Sequence, residues 1–204
     1  MESLSVTTVR PEEAAYWDEV AVNRIDGKLR DNIYKRVRLM AKLLEEPLIG
    51  ARILEIGTGH GLTVAVVNLL TLANIRYTGT DVSKKFCDYV EKRWKLPMLH
   101  CDVRSIPVED HSSDIIWAFD SLEHVRPNDR EEGYNEINRI LKVPGLIMLN
   151  VPLSDSKHDP QFDHSFDESD LATLCKATNT RIRRMEKYEA PEVNTQYQFV
   201  VLER

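Results

Sequence analysis

Between Ile53 and Leu62 the chain reads ILEIGTGHGL: a continuous apolar run, then Gly57, Gly59 and Gly61 at alternate positions, then the start of a second apolar run. A short apolar run closed by glycines reads as a buried strand and the longer run after it as a helix, so the stretch is a βα unit. Repeated βα units need a parallel sheet covered on both faces. The alternation continues along the chain. Strands are expected at 51–56, 76–80, 98–101, 114–119 and 146–151, the last after the turn at Pro144-Gly145. Helices are expected over 62–72, over 84–94 with Ser83 as N-cap, and through Tyr134, Ile137, Ile140 and Leu141. Asp167 should cap a further helix over 168–177. The two final strands, 180–188 and 195–203, are joined without a helix and must pair antiparallel, because a parallel pair needs a longer crossover. Ahead of this core, Ile33, Val37, Met40, Ala41 and Leu44 recur at helical spacing in an amphipathic helix over 31–46 that ends near Pro47. The expected fold is α/β, a three-layer, Rossmann-like, doubly wound sheet of seven strands with the last one antiparallel.

A chain of 204 residues fits one domain. Its expected parts are an N-terminal helical cap over 1–50, a ligand-binding core over 51–151 and an acceptor-side loop with the final strands over 152–204. A net charge of -6 disfavours nucleic acid, whose binding rests on clustered Lys and Arg. The densest basic groups, Lys84-Lys85, Lys92-Arg93 and Arg181 to Arg184, read as solvated faces. No window approaches the roughly 18 apolar residues of a membrane span, and the start MESLSVTTVRPEE has no secretory pattern, so a cytoplasmic location is expected. Cys87, Cys101 and Cys175 are too scattered for a disulfide framework or zinc, and should be reduced.

In a doubly wound sheet the ligand sits at the carboxyl ends of the strands. There the sequence offers Gly57, Gly59 and Gly61 after strand one, Asp81 after strand two, Asp102 after strand three and Asp120 after strand four. A dinucleotide loop is G-x-G-x-x-G/A; here the third glycine comes one position early and Leu62 stands in its place. A P-loop needs Lys then Ser or Thr, which Leu62-Thr63 does not supply. Glu55, inside the leading strand, opposes a pyrophosphate and favours a cation. Asp81, about 20 residues past the loop, stands where a carboxylate takes both hydroxyls of a ribose. A nucleoside with a positive, zwitterionic tail and no phosphate is S-adenosyl-L-methionine.

Through LEIGTGHG, YTGTDVS, CDVRSIPVEDHSSDIIWAFDSLEHV and EINRILKVPGLIMLNVP, about Leu54 to Val151, the chain resembles the small, single-domain class I S-adenosylmethionine-dependent methyltransferases. The resemblance implies that Glu55, Gly57 and Gly59 line the methionine end, Asp81 holds the ribose and Asp102 with the Val103 amide reads the adenine, with Thr58, Gly61 and Val82 also among the cofactor-binding residues. Phe119 and Asp120 would close the site. LKVPG replaces the family's usual LKPGG, at a turn remote from the cofactor.

Methyl transfer is an in-line displacement, so the protein mainly aligns donor and acceptor, and a base is needed only where the acceptor must lose a proton. FDSL is not the Asn/Asp-Pro-Pro-aromatic pattern of base amine methylation, no Pro-Cys loop is present, and only Glu123 represents the glutamate pair of arginine methylation. DSLEHV resembles the small-molecule and quinone branch, which makes a small-molecule acceptor, methylated on oxygen or nitrogen, the expected partner. RNA, protein and a non-catalytic binding role are the alternatives. The catalytic candidates are His164, in the long loop LSDSKHDPQFDHSFDESD with His158, Asp159 and Asp163, and His124. No metal is expected, although Asp120, Glu123 and His124 have a spacing that would gather one on a helical turn. Tyr16, Trp17 and Tyr34 are either a cover for the cofactor or ordinary aromatic packing.

Overall fold

A computed structural model describes residues 9–26, 39, 42–43, 45–46, 48–61, 74–153, 162, 164–190 and 195–204. The expected helix over 62–72, most of that over 31–46, and Tyr34, His158, Asp159 and Asp163 lie outside the described residues.

The sheet grows from β1 (Arg52–Ile56), whose last four residues are buried because it is paired on both sides. Parallel neighbours are β2 (Arg76–Asp81) and β4 (Ser113–Phe119); β3 (Met98–His100) extends the sheet beyond β2 and β5 (Leu141–Pro152) beyond β4. The final strands, β6 (Arg181–Ala190) and β7 (Thr195–Glu203), pair antiparallel, and β7 inserts between β5 and β6 to give the order β3-β2-β1-β4-β5-β7-β6. The expected architecture is therefore observed. Since strand residues alternate between faces, Leu54, Ile56, Ile116 and Ala118 pack on one side with Tyr134, Ile137 and Leu174. Ile53, Ile115 and Trp117 pack on the other, with Leu39 and Leu43.

Local chemistry sets the helix ends. The Ser83 hydroxyl accepts from the Phe86 amide at 3.2 Å and starts α2 (Lys84–Trp94). Asp167 and Asp170 form a reciprocal capping box at the head of α4 (Glu168–Thr178). Between them, α3 (Arg130–Ile140) leads straight into β5. The described cysteines are free thiols, and burial pushes Cys87 and Cys101 up to about 12.

Two expectations need correction. Strand five begins at Leu141, not Leu146: Leu141 already pairs with Ser113, residues 142–145 bulge out, and pairing resumes at Leu146 with Ile115. An apolar residue ahead of a Pro-Gly turn is enough to hold the first rung. Pro11–Asp26 forms a helix, α1, where only aromatic residues were noted; Pro at the first position and Glu12 and Glu13 in the first turn suit a helix N-terminus.

Candidate active site

β1 lies between β2 and β4, so the chain leaves it towards one edge of the sheet and later returns on its other side. The connections diverge there and leave a crevice at the carboxyl ends of the strands. Glu55, Gly57, Thr58, Gly59, Asp81, Val82, Asp102, Val103, Phe119, Asp120 and His124 all line it.

The glycine loop is shaped by three left-handed residues with different duties. Gly57 has φ +67°, and a Cβ there would come within 2.6 Å of the Ser121 Cβ, so the close approach of the β1 and β4 loops depends on it. Gly59 has φ +57° and nothing within 4 Å of where its Cβ would stand, which leaves the backbone open to the crevice. Gly61 faces elsewhere: its missing Cβ makes room for Val90 and Trp94, at 3.0 and 3.1 Å, and it is absent from the crevice wall.

Asp81 is buried. Its Oδ2 accepts from the Gly59 amide and its Oδ1 from the Ser83 amide, both at 2.8 Å, so one side chain fixes the loops after β1 and β2. A carboxylate offers about four acceptor positions; two are used. Burial pushes Asp81 up to about 6, against those two amides, which pull the other way. Glu55 is also buried and receives the hydroxyl of Tyr77, which in turn lies 3.1 Å from Thr58 Oγ1. Burial and the Glu55 charge hold the Tyr77 phenol well above its usual range, so it remains a donor to Glu55.

Asp102 is met by its own neighbour. Arg104 donates from Nε at 2.9 Å to one carboxylate oxygen and from Nη2 at 2.7 Å to the other, and its amide adds a third bond at 3.0 Å. Asp120 takes a left-handed conformation, φ +53°, in which its amide donates to the Asn150 carbonyl at 2.8 Å and Oδ1 accepts from Asn150 Nδ2 at 3.1 Å. Asn150, fully buried on β5, is itself fixed by the Tyr188 hydroxyl at 2.6 Å.

Leu122–His124 forms a single 3-10 turn in which Glu123 Oε1 lies 4.0 Å from His124 Nε2 while Asp120, the third residue with metal spacing, points away. Asp120 turns to Asn150, Glu123 is buried, and His124 Nδ1 lies 3.0 Å from the Phe162 carbonyl. His164 is held beside this turn, its amide donating to the Glu123 carbonyl at 3.0 Å, but it is not on the crevice wall.

The roof is α1. Glu13, Trp17 and Arg24 line the crevice from above. Trp17 meets the His124 ring edge-on at 4.6 Å, and Tyr16 stacks on Phe162 at 4.0 Å, so cover and packing are both served. Asp18 accepts from Ser83 Oγ at 2.6 Å and from the Lys85 amide at 3.1 Å. Arg10 pairs with Glu13 and Asp129, while Arg126 pairs with Glu12 and Glu13. Sequence reading did not pick out Glu13, Arg24, Arg104, Arg126 or Tyr77; only the chain path brings α1 over the strands, and nothing in local spacing marks these residues.

An acid at each of four strand ends, three of them buried, a glycine loop open to the crevice and no P-loop lysine describe a site for a cationic nucleoside. On this sheet order that is the class I S-adenosylmethionine-dependent methyltransferase. The family model described as "Methyltransferase domain" matches residues 54–149, the part of the chain that carries most of the crevice, and this match supports the same class for the chain and S-adenosyl-L-methionine as its cofactor. Among curated relatives, the 27-O-demethylrifamycin SV methyltransferase of Amycolatopsis mediterranei is 25% identical over 143 residues, 66% of this chain and 48% of that one. An O-methyltransferase of Pyrenophora dematioidea is 30% identical over 123 residues, covering 56% and 44%. The chain thus spans about half the length of these relatives. In structure it is similar to the N-methyltransferase NodS of Bradyrhizobium japonicum, with a TM-score of 0.76 at 14% identity over 94% of this chain and 97% of that one.

Proposed function

We propose that the chain transfers a methyl group from S-adenosyl-L-methionine to an oxygen or nitrogen of a small-molecule acceptor, with His124 as the proton acceptor. The observation that carries this reading is the hydrogen bond from His124 to the Phe162 carbonyl. A carbonyl oxygen only accepts, so Nδ1 carries a proton and Nε2 is the nitrogen that would take one from the acceptor, 4.0 Å from the Glu123 carboxylate that would then face the positive ring. His124 lines the crevice beside Asp120, where an acceptor hydroxyl or amine would give up its proton. His164 sits one layer behind and supports the same turn through the Glu123 carbonyl.

When bound, the cofactor supplies an electrophilic methyl group. The chain's own residues do the rest. The two unused acceptor positions of Asp81 suit ribose hydroxyls, and the remaining one of Asp102, with the Val103 amide, suits an adenine edge. Glu55 and Asp120 set negative potential around the positive tail, and Trp17 with Phe119 excludes water. The open space at Gly59 supports the fit, since any side chain there would occupy it.

Two observations favour a small acceptor over RNA. The described basic cluster on β6 is already spent: Arg181 pairs with Glu203, Arg183 with Glu46, and Arg184 with Glu45, Glu46 and Glu186. The one relative above whose name specifies an acceptor, the 27-O-demethylrifamycin SV methyltransferase, acts on a small molecule. The expected single-domain organisation, with residues 1–50 as a cap, agrees with α1 over the crevice. Among the described residues no helix is long and apolar enough to cross a membrane. The test is transfer of labelled methyl groups into metabolite, RNA and protein fractions of an extract. Label confined to metabolites supports the proposal; label in RNA or protein overturns it, and no label in any fraction favours a binding role without catalysis.

A further inference from the structure

We propose a second ligand site, for a small phosphate-bearing anion, at the opposite end of the strands that hold the cofactor. Arg52 and Arg76 begin β1 and β2 and are register partners, so they stand side by side on one face of the sheet. Both are exposed, and among the described residues neither guanidinium has a hydrogen bond or ion pair. Like charges directly opposite in a sheet repel, and among the described residues only the charge of Asp114, itself paired with Lys142, acts on Arg52.

The neighbouring acids are taken. Asp114 accepts from the Arg52 backbone amide at 2.8 Å, and its other oxygen is bound by Lys142 at 2.6 Å. Asp110 and Glu136 both bind Arg139. Local charge is therefore positive on a chain whose total is -6.

The two arginines border a cavity of about 320 Å³ that also reaches Leu54, Thr78, Val108 and Ser112. Residues 101–112, between β3 and β4, form turns rather than a helix, and Val108 and Ser112 of this connection border the cavity. The Ser112 hydroxyl oxygen is buried and has no hydrogen-bond partner, a costly state for a hydroxyl unless a ligand completes it. Two guanidinium forks and one hydroxyl donor match the oxygens of a phosphate, which arginine binds through paired N–H donors. Leu54 and Val108 leave an apolar wall for the rest of an ester.

The site is tested by calorimetry with inorganic phosphate, pyrophosphate and glycerol 3-phosphate at fixed ionic strength, with the cofactor crevice filled by S-adenosylhomocysteine. Saturable binding is expected, with pyrophosphate tighter than phosphate. The double variant Arg52→Gln/Arg76→Gln should weaken binding at least about tenfold and Ser112→Ala about threefold, while S-adenosylhomocysteine affinity stays within about twofold and shows that both variants fold. Glycerol 3-phosphate binding tighter than phosphate assigns the site to esters; equal affinity assigns it to the free anion. Absence of saturable binding by all three probes, or a double variant that binds them like the wild type, overturns the proposal.

Discussion

β1 and β2 carry opposite chemistry at their two ends. At the carboxyl ends Glu55 and Asp81 are buried acids, each held by a donor from another part of the chain. At the amino ends Arg52 and Arg76 are exposed bases with no such partner among the described residues. Two strands of five and six residues therefore separate a pre-built cation site from an open, positive one. The contrast shows where organisation has been installed. Burying a carboxylate costs several kcal/mol unless amides or hydroxyls receive it, and at the carboxyl ends of β1 and β2 the Tyr77 hydroxyl and the Gly59 and Ser83 amides do so.

The comparison breaks most readily at Gly59. Valine there would be β-branched at φ +57° and would fill the open face of the loop. Gly59→Val should abolish measurable binding of S-adenosyl-L-methionine in calorimetry, with the melting temperature lowered by several degrees through about 1 to 3 kcal/mol of backbone strain. Retained binding would move the cofactor away from this loop. Asp81→Ala comes next. It removes the acceptors for the ribose and strands the Gly59 and Ser83 amides, at about 2 to 4 kcal/mol of cofactor binding. Affinity for NAD should be negligible in the wild type, and tight NAD binding would overturn the ligand assignment.

The acceptor side should respond differently. His124→Ala should lower turnover by about 10² without changing cofactor affinity, the usual scale for a lost base. His164→Ala, one layer back, should cost less. A reversed order of the two losses would return the base to His164.

Asp81 also gives the carboxyl end a pH response that the amino end lacks. Its pKa is raised from 3.8 to about 6, so above pH 6 it is ionised and ready to accept, and below that it must release a proton when the ribose binds. Cofactor affinity should fall as pH drops through about 6, approaching tenfold per pH unit. For folding the sign is opposite. The native chain holds this proton more tightly than the unfolded chain does, so the cost of burying Asp81 is present above pH 6 and relieved towards pH 4. Binding that stays flat between pH 5 and 8 would mean that the charged form is not what the ligand requires.

Much of this was legible in the sequence because it is local. A glycine at alternate positions, an acid after each strand and Ser83 or Asp167 before a helix each act within a few residues, and each stands where expected. What sequence did not reveal depends on distant partners. Arg104 on Asp102 has the right spacing for a fork, yet the same spacing is common in loops. Gly61 looked like its two neighbours but serves Val90 and Trp94 on α2. Leu39 and Leu43, passed over in the helical spacing, are buried because the sheet face of Ile53 and Trp117 lies against them. His164 is the expected base because a histidine titrates near working pH and the resembled family often has one just before this helix, whereas the chain path gives the crevice wall to His124.

The smallest predicted effect concerns the roof over the carboxyl end, which the amino end has no counterpart for among the described residues. Helix α1 is fastened by three kinds of contact: aromatic rings at Tyr16 and Trp17, the Asp18 bonds to the head of α2, and ion pairs from Arg10, Glu12 and Glu13 to Asp129 and Arg126. The ion pairs are partly exposed, so each is worth less than about 1 kcal/mol and is screened by salt. The ring contacts carry no charge and do not respond to salt. Arg126→Ala should therefore speed cofactor release only a few-fold, roughly the rate ratio of a loss below 1 kcal/mol, and raising salt should speed release from the wild type by a similar factor. In the variant the salt response should shrink. Stopped-flow release followed by Trp17 fluorescence reads all three rates, and equilibrium stability should hardly move. A release rate indifferent to both the substitution and salt would show that α1 does not have to lift for the cofactor to leave.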